Sequence, residues 1–482
     1  MSVTDTEAAG TASGAAVGTA PEALTPRLRL VLILLLSTQF MLAVDFAILN
    51  VALPVIGKDL GFSIAHLTWI ATSFALCAAG FTLLFGRVAD LFGRRRLFLW
   101  GLVVLGAASL VGGLAQNPAM LITARVLQGL ATAAVTPAAL SLLTTSFPEG
   151  PLRQKALGLN GALMSSGFTT GAVLGGVLTD LLSWRWAFFI NVPVALTVLI
   201  IAPRVIKESR PDERPELDLP GAVSVTLGLL AVVFGLTRAG QNGWGSAGAL
   251  LSLAAGVLLL VVFYAVERRV SAPLVPLSVL GKRSVAWGNL AGLIAFLTET
   301  SLVFPLTLYL QDVLGFSPLA AGLSFGVLGL GTVTGGFTAA KVIGRIGAKQ
   351  ALIVGGSLQT VFTAALLGLG HDRSSMWLML VASFIGGVGN MLVIVGFMVT
   401  ATSGLADHEQ GLATGLATMT QQVGITMGTP IMSAVATAAM VGTGASAMLG
   451  GLKVAIAVNA AIVLLGLLTS AVFLRGDRST AR

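Results

Sequence analysis

Charged residues are scarce in this chain of 482 residues: they make up 10% of it, against 55% for hydrophobic residues. Ordinary soluble domains carry about 25% charged residues, so this chain lacks the polar side chains that a water-exposed surface needs. The mean hydropathy of +0.93 agrees with this interpretation. We therefore expect an all-α polytopic membrane protein whose outer surface is covered by a lipid bilayer.

Cysteine, histidine and nucleotide-binding loops are also rare or missing. The chain has one cysteine, Cys77, and three histidines. A single cysteine excludes an intrachain disulfide, and no metal-ligand spacing occurs, so we expect no metal and no other cofactor. No G-x-x-x-x-G-K-[ST] loop is present, which argues against an ATP-driven motor. We expect neither an enzyme nor a nucleic-acid-binding protein.

Long apolar runs dominate what is present. A helix needs about 20 apolar residues to cross a bilayer, and fourteen such runs follow one another with short connections. The predicted spans are 28–50, 66–86, 96–115, 119–146, 154–180, 184–204, 219–238, 246–267, 285–311, 317–340, 350–369, 375–399, 412–440 and 453–474. Residues 1–27 lack the basic start and apolar core of a signal peptide, so they are predicted to form a disordered tail, and 475–482 a second tail.

The basic residues indicate an orientation. With the N-terminus inside the cell, 22 of the 28 lysines and arginines fall on the inner side of the predicted spans. Lysine and arginine concentrate in short cytoplasmic loops. We therefore expect a multi-pass protein of the plasma (inner) membrane with both termini in the cytoplasm.

The chain contains a weak internal repeat. "GRVADLFGRR" (86–95) can be laid on "AKVIGRIGAK" (340–349), and "ARVLQGL" (124–130) on "ASFIGGV" (382–388). Duplicated halves are common in transporters. The repeat predicts an N-terminal six-helix bundle at 28–204 and a C-terminal one at 271–474, with a linker and two inserted helices at 205–270. Ionisable residues inside spans are concentrated in the first half.

Two ionisable residues lie inside spans of the first half. Asp45 interrupts the first apolar run, and Arg125 interrupts the fourth, with Gln128 nearly one turn further along. Charged residues inside membranes are costly and mark functional pathways, and a guanidinium that stays protonated can control the proton affinity of a nearby acid. Snorkelling of Arg125 to the interface is the alternative.

Three further polar positions lie in the second half. Glu299 is either a second acid that binds protons or cations, or an acid that meets only water or Thr298. Gln421 and Gln422 can either face a cavity or form hydrogen bonds between helices.

Glycine spacing suggests two further devices. "GRVADLFGRRR" (86–96) joins spans 2 and 3, and its Gly86, Asp90, Gly93, Arg94 and Arg95 can form a loop that latches one conformation. In span 5, four glycines give a smooth face for close helix packing: Gly167, Gly171, Gly175 and Gly176. Near the start of span 6, Arg185 is expected to pair with Asp180.

These motifs together resemble the major facilitator superfamily, specifically its 14-span drug:proton antiporter branch. "AVDFAILNVALP" looks like the first-helix motif through Asp45, Asn50 and Pro54, and "ARVLQG" is similar to the fourth-helix motif. "GAVLGG" resembles the antiporter motif of helix 5, with Ala172 where the family commonly has proline. The resemblance implies two six-helix bundles plus two inserted helices, with Asn50 as a polar cavity residue. It implies a proton-coupled exporter of amphipathic small molecules, cations among them.

Depth along the helices adds a check from the residues alone. Helix rise places Asp45 about 5 Å and Arg125 about 9 Å from the outer edge of an apolar core about 30 Å thick. Glu299 falls at a similar level, so the three can share one cavity. Two alternatives stay open, because a fold does not fix a function: a facilitator-type importer or uniporter, and a non-transporting receptor or scaffold. We expect a monomer.

Overall fold

A computed structural model describes residues 24–62, 64–67, 69–147, 151–209, 218–270, 273, 280–402 and 407–474. Within these residues the regular structure is helical and no β-strand occurs. The helices of the first half are α1 (Pro26–Leu60), α2 (Ile64–Leu67), α3 (Trp69–Phe92), α4 (Arg94–Gly113), α5 (Pro118–Ser146), α6 (Pro151–Leu181), α7 (Trp186–Phe189) and α8 (Asn191–Val205).

The later helices follow the same pattern of long rods. They are α9 (Leu219–Asn242), α10 (Ala247–Glu267), α11 (Arg283–Leu308), α12 (Pro318–Ile346), α13 (Ala348–Ala365), α14 (Ser375–Thr402), α15 (Asp407–Ala439) and α16 (Ala445–Phe473). A π-turn at Tyr309–Val313 extends α11 and a 3-10 turn at Leu366–Gly368 extends α13.

Several helices begin at a capping residue followed by proline. The side chains of Thr25, Asn117 and Ser317 each accept a hydrogen bond from a backbone N–H two or three residues inside the helix, and each is followed by proline. The cap satisfies one of the free N–H groups of the first turn, and proline has no N–H to leave unpaired there. These short signals therefore fix where α1, α5 and α12 start.

Eleven helical segments among the described residues are long and apolar enough to cross a membrane, and a twelfth if the bent helix α3 counts as one span. The long helices α6 and α15 are not among them. Both are packed against other helices, α6 on α1 and α12, and α15 on α11. A helix enclosed by protein can carry Ser, Thr and Gly in place of lipid-facing apolar residues.

The glycines of α6 bring it onto the backbone of α1. A Cβ atom on Gly167, Gly171 or Gly175 would approach atoms of α1 to less than 3.0 Å, and at Gly171 and Gly175 the nearest atom is a backbone carbonyl oxygen. Because a backbone carbonyl cannot rotate away as a side chain can, glycine is required at these positions for this packing.

The two halves of the chain meet at one end. We call this the distal end, because it lies away from Pro26 and Phe473, where the helical chain begins and ends. A single apolar core at this end joins residues of both halves, such as Leu53 with Leu308 and Leu314. Gln311 also donates a hydrogen bond to the carbonyl of Val51 across the seam, at 2.7 Å.

Towards the other end the apolar cores are separate. One contains buried residues of the first half alone, from Val31 to Ile206, and the other contains buried residues of the second half alone, from Ala291 to Leu474. The described structure is therefore closed at the distal end. Helix α9 lies outside the seam and contacts both halves, through α3 and α15.

We predict that Gly175→Ala destabilises the fold. The new methyl group would press on the backbone carbonyl of Ile48, and such overpacking costs about 1–3 kcal/mol. The thermal unfolding midpoint of the purified protein in detergent, followed by tryptophan fluorescence, should fall by several degrees. Gly450→Ala is the matched control, because a Cβ atom there meets nothing within 4 Å. Equal midpoints for both variants would contradict the packing argument.

Candidate functional site

The carboxyl group of Asp45 is completely buried inside the first half of the chain. It lies in the middle of α1 with 0% of the residue exposed. Its partner is Arg125 of α5, whose Nη1 lies 3.2 Å from Asp45 Oδ2. Arg125 is itself only 1% exposed, so it does not snorkel to an interface. The two ionisable residues found in the first-half spans therefore form one ion pair.

Neutral groups complete the surroundings of Arg125. Its Nη1 donates to Gln128 Oε1 at 2.8 Å and its Nε to the carbonyl of Ile70 at 3.1 Å. The guanidinium carbon lies 4.1 Å from the centre of the Phe74 ring, where the π-face attracts a cation. Four kinds of contact thus hold one buried cation in a fixed place.

Two residues of this network had no clear sequence signal. Asn191, at the start of α8, donates a short hydrogen bond from Nδ2 to Asp45 Oδ1. The same amide donates to Ser109 Oγ of α4 at 3.3 Å, and Gln128 donates to Ser109 at 2.8 Å. Asn191 could have been noticed as a polar residue two positions after the aromatic run "WAFF" (186–189), whereas a serine in a Gly/Ala-rich span carries no such mark.

The Asp45 carboxyl group is therefore surrounded by donors from two neighbouring helices. Arg125 and Gln128 belong to α5 and Asn191 to α8, and all three donate to Asp45. A carboxylate accepts such bonds well, and charge-assisted bonds are the strong ones. Three of the roughly four acceptor sites of this carboxyl group are thus occupied by donors from the protein.

A small cavity lies between the two halves, next to this network. Its walls come from α1, α6, α11 and α12, and the lining residues are Phe46, Ala47, Asn50, Phe168, Thr169, Ala172, Glu299, Thr300, Val303, Phe325, Leu328 and Thr332. Asn50 thus lies where a polar cavity residue was expected, and Ala172, which replaces the usual proline, is also in the wall.

Asp45 does not line this cavity, although Phe46 and Ala47 do. Successive residues of a helix point about 100° apart, so Asp45 points into the first half while its neighbours point across the seam. The expectation that Asp45, Arg125 and Glu299 share one cavity therefore needs correction. Asp45 and Arg125 are in contact, as their equal predicted depth allows, but Glu299 lies on the other side of α1.

The remaining polar candidates lie elsewhere. Gln421 is half-buried on α15 and does not line the cavity. The side chain of Gln422 lies outside the described residues. Arg185 pairs with Asp59 of α1 at 3.0 Å, so the expected pairing with Asp180 is wrong. Asp59 lies far away in the sequence, and Trp184 Nε1 also donates to it, at 2.9 Å.

The loop between α3 and α4 is held by charged groups. Gly93 has φ +109°, a conformation that glycine adopts readily. Asp90 forms an ion pair with Arg94 at 2.8 Å. The missed partner is Glu208, beyond α8, which accepts a hydrogen bond from the backbone N–H of Arg95 at 2.9 Å.

The other two residues of the loop motif, Arg95 and Gly86, have different surroundings. The side chain of Arg95 donates to the carbonyl of Ile206 at 3.1 Å. This contact also ties the start of α4 to the end of α8. A Cβ on Gly86 would meet only the side chain of Pro137, at 3.8 Å, so packing does not demand glycine there.

Comparison with known proteins decides the family. The family model described as Major Facilitator Superfamily matches residues 35–429. The chain belongs to this superfamily. It is therefore a multi-pass membrane transporter rather than an enzyme.

The relatives of this superfamily member include export and resistance proteins. It is 39% identical over 413 residues to the cephamycin export protein CmcT of Amycolatopsis lactamdurans, covering 83% of each chain. It is 39% identical to the puromycin resistance protein pur8 of Streptomyces alboniger, covering 85% of this chain and 82% of that one. The lincomycin resistance protein of Streptomyces lincolnensis is 34% identical, with 84% of each chain covered.

Solved structures agree on the fold. The human organic anion transporter MFSD10 (TETRAN) superposes with a TM-score of 0.60 at 17% identity, covering 92% of this chain and 100% of that one. A mutant of the nucleoside transporter NupG gives a TM-score of 0.59 at 11% identity, covering 93% and 100%. At such identities the likeness concerns the fold alone.

We predict that Asp45 and Arg125 stabilise the protein as a pair. Removing one partner of a buried ion pair leaves an uncompensated charge and costs about 3–5 kcal/mol, so Arg125→Met should be strongly destabilising. The double variant Asp45→Asn/Arg125→Met should lose less unfolding free energy than the two single variants lose together, by more than about 1 kcal/mol. Chemical denaturation in detergent would measure this double-mutant cycle.

The exposed pair Arg185–Asp59 provides the control for this cycle. Its side chains are 35% and 46% exposed, and exposed pairs contribute about 0–1 kcal/mol. The corresponding cycle with Arg185→Met and Asp59→Asn should show a small coupling. Additive effects at Asp45 and Arg125 would argue against a stabilising buried pair.

Proposed function

We propose that this transporter is a proton-coupled antiporter that exports amphipathic small molecules by alternating access. The observation that carries the proposal is a buried acid–arginine network directly behind the wall of a mostly apolar pocket between the two halves. Ligand sites are mostly apolar and carry a small number of polar groups. The names of the relatives, export and resistance proteins for antibiotics, support export as the direction.

The proposal includes the finer topology. Fourteen spans follow when the bent helix α3, α6 and α15 are counted with the eleven apolar segments, since each of the three is long enough to cross a bilayer. They divide into six-helix halves at 28–204 and 271–474, with α9 and α10 inserted between. With both termini in the cytoplasm of a plasma-membrane monomer, the distal end is the outer face, and this structure is closed to the outside.

In the coupling step, a proton competes with three hydrogen-bond donors for the carboxyl group of Asp45. In the conformation described, Asp45 is held by Arg125, Gln128 and Asn191. A proton on Asp45 cancels its charge and weakens these bonds. Arg125 keeps Gln128 and the carbonyl of Ile70 as partners, so the buried cation stays hydrogen-bonded while α1 is released.

Helix α1 connects the proton site with the substrate cavity. Asp45 lies on one of its faces, and Phe46, Ala47 and Asn50 lie on the face that lines the cavity. A shift of α1 against α5 therefore changes the cavity wall directly. An element with two arrangements that both ligands bias is the physical requirement for coupling.

We predict that Asp45→Asn abolishes transport driven by a pH gradient. Asparagine keeps the size of the side chain but cannot take up a proton. Because loss of the ion pair also lowers stability, only the folded fraction of the variant is placed in the vesicles. Purified protein in vesicles with an imposed pH gradient and a panel of cationic, neutral and anionic compounds would test this. Asp180→Asn, an exposed acid on α6, is the matched control and should transport normally. Full gradient-driven export in Asp45→Asn would refute the proton site, and pH-insensitive uptake by the wild type would favour an importer.

We predict that Gly176→Val opens the distal seam. A Cβ atom at Gly176 would press on Pro318 and on Gly322 of α12, so a larger side chain should separate the halves there. Ala321→Cys in a Cys77→Ala background places a reporter in this seam, because Ala321 is buried in the distal core. Maleimide should label it faster when Gly176→Val is added. Unchanged labelling would show that this contact does not seal the distal end.

A further inference from the structure

Four consecutive polar residues interrupt α11 beside the cavity. They are Thr298, Glu299, Thr300 and Ser301. Because successive residues of a helix point about 100° apart, these four side chains cover every side of α11, and apolar burial alone does not select the rotation of the helix about its axis. In the structure Glu299 and Thr300 line the cavity, whereas Thr298 and Ser301 do not. Another interaction therefore selects which two of the four face the cavity.

Asn459 of α16 binds the two residues that face away from the cavity. Its Nδ2 donates to the carbonyl of Thr298 at 3.0 Å and to Ser301 Oγ at 2.7 Å. Asn459 is only 1% exposed. Since a carbonyl oxygen can only accept a hydrogen bond, the amide nitrogen and not the amide oxygen must face it. Buried hydrogen bonds are costly to lose, so Asn459 holds α11 with Thr298 and Ser301 turned towards α16.

A second helix contributes to the same contact. Gln359 of α13 is buried and donates from Nε2 to Thr298 Oγ1 at 3.1 Å. Thr298 is thus held from α13 and from α16. The side chains of this network are all neutral, so protons cannot change it in the way that they can change the carboxyl group of Asp45.

The polar contact between α11 and α15 is less selective for one rotation. Thr300 Oγ1 reaches the carbonyl of Ile425 at 3.3 Å, but it also reaches the carbonyl of Phe296, within α11, at 2.9 Å. Because a hydroxyl group has one hydrogen to donate, Thr300 can be satisfied inside its own helix. The bonds from Asn459 and Gln359 are therefore the ones that distinguish one rotation of α11 from another.

We propose that Asn459 is a positioning residue of the transport cavity, which selects the rotation of α11 that presents Glu299 and Thr300 to the substrate. The proposal rests on the cavity being the substrate site of the function proposed above. It adds that the two halves differ in their response to protons. The first half responds through Asp45, whereas the second half supplies a wall whose rotation is set by neutral groups.

Thiol labelling of the purified full-length protein in detergent tests the rotation of α11. The reporter is Ala291→Cys in a Cys77→Ala background. Ala291 is 2% exposed and does not line the cavity. It lies seven residues before Thr298, which is about two helical turns, so both are on one face of α11. The probe is 2,2′-dipyridyl disulfide, which releases pyridine-2-thione when it reacts with a thiol. With Asn459 intact the reporter should react slowly.

Asn459→Leu should increase the labelling rate of this reporter by about 5-fold or more, because the two buried hydrogen bonds that hold the rotation are lost. Val303→Cys is the reference reporter: Val303 already lines the cavity, so its labelling rate should stay nearly constant. Val454→Leu, at an exposed position of the same helix α16, is the matched control and should leave Ala291→Cys slow.

Asn459→Asp separates hydrogen bonding from the filling of space. Burial favours the neutral form of a carboxyl group, so at about pH 5 the new side chain still has a proton to donate. Labelling of Ala291→Cys should then stay near the rate seen with Asn459, whereas Asn459→Leu, which has no donor, should label fast at the same pH. As the pH rises and the new carboxyl group ionises, the rate relative to the protein with Asn459 at each pH should increase.

Two outcomes would overturn the proposal. One is slow labelling of Ala291→Cys that Asn459→Leu leaves unchanged. The other is equally fast labelling in Asn459→Asp and Asn459→Leu at the lower pH, which would show that Asn459 only fills space. The assay uses neither a substrate nor a pH gradient. Absence of gradient-driven export by the wild type would therefore refute the proposed function without changing the labelling result.

Discussion

The structure depends on one buried ion pair. Arg125 and Asp45 lie 3.2 Å apart, and each is at most 1% exposed. Each charge makes the other less costly in that place, since an isolated buried charge costs several kcal/mol. Much of the first half serves this constraint: α4 contributes Ser109, α8 contributes Asn191, and α3 contributes a carbonyl and an aromatic ring. The pair therefore helps to fix the positions of α3, α4, α5 and α8 around α1.

Close packing of α1 and α6 makes the pair relevant to the rest of the molecule. The glycines of α6 let it lie on the backbone of α1, so the two helices cannot slide independently without losing that contact. Both helices also line the cavity, and α6 packs against α12 across the seam between the halves. In the proposed mechanism, a change in charge at Asp45 is transmitted through packed backbone rather than through a chain of flexible side chains. Packed elements with few alternative arrangements favour switching between discrete states.

The sequence predicted the positions of the helices better than it predicted which polar residues contact one another. Each predicted apolar run falls on a helix, because burial in a bilayer leaves little choice but a helix. Some ends differ: α1 continues ten residues past its predicted end, to Leu60, and α16 begins at Ala445, eight residues before its predicted start. Axial depth placed Asp45 level with Arg125, but it could not show that Glu299 lies around the other side of α1, because packing sets the rotation of a helix about its axis. Asn191 has no motif of its own, and it acquires a role through Asp45, a residue distant in the sequence. Such residues are found by asking where buried polar atoms obtain their hydrogen bonds.

The second half repeats part of this hydrogen-bonding pattern without the charges. Asn459, on the last helix of that half, donates to Ser301 Oγ at 2.7 Å and to the carbonyl of Thr298 at 3.0 Å, much as an asparagine of α8 donates within the first half. Ser383 occupies the repeat position of the buried arginine. With no arginine there, an acid on α11 is not tied to its own half, and Glu299 instead faces the cavity. The two halves thus hold their acids differently: Asp45 is paired inside its bundle, whereas Glu299 lines the cavity between the halves.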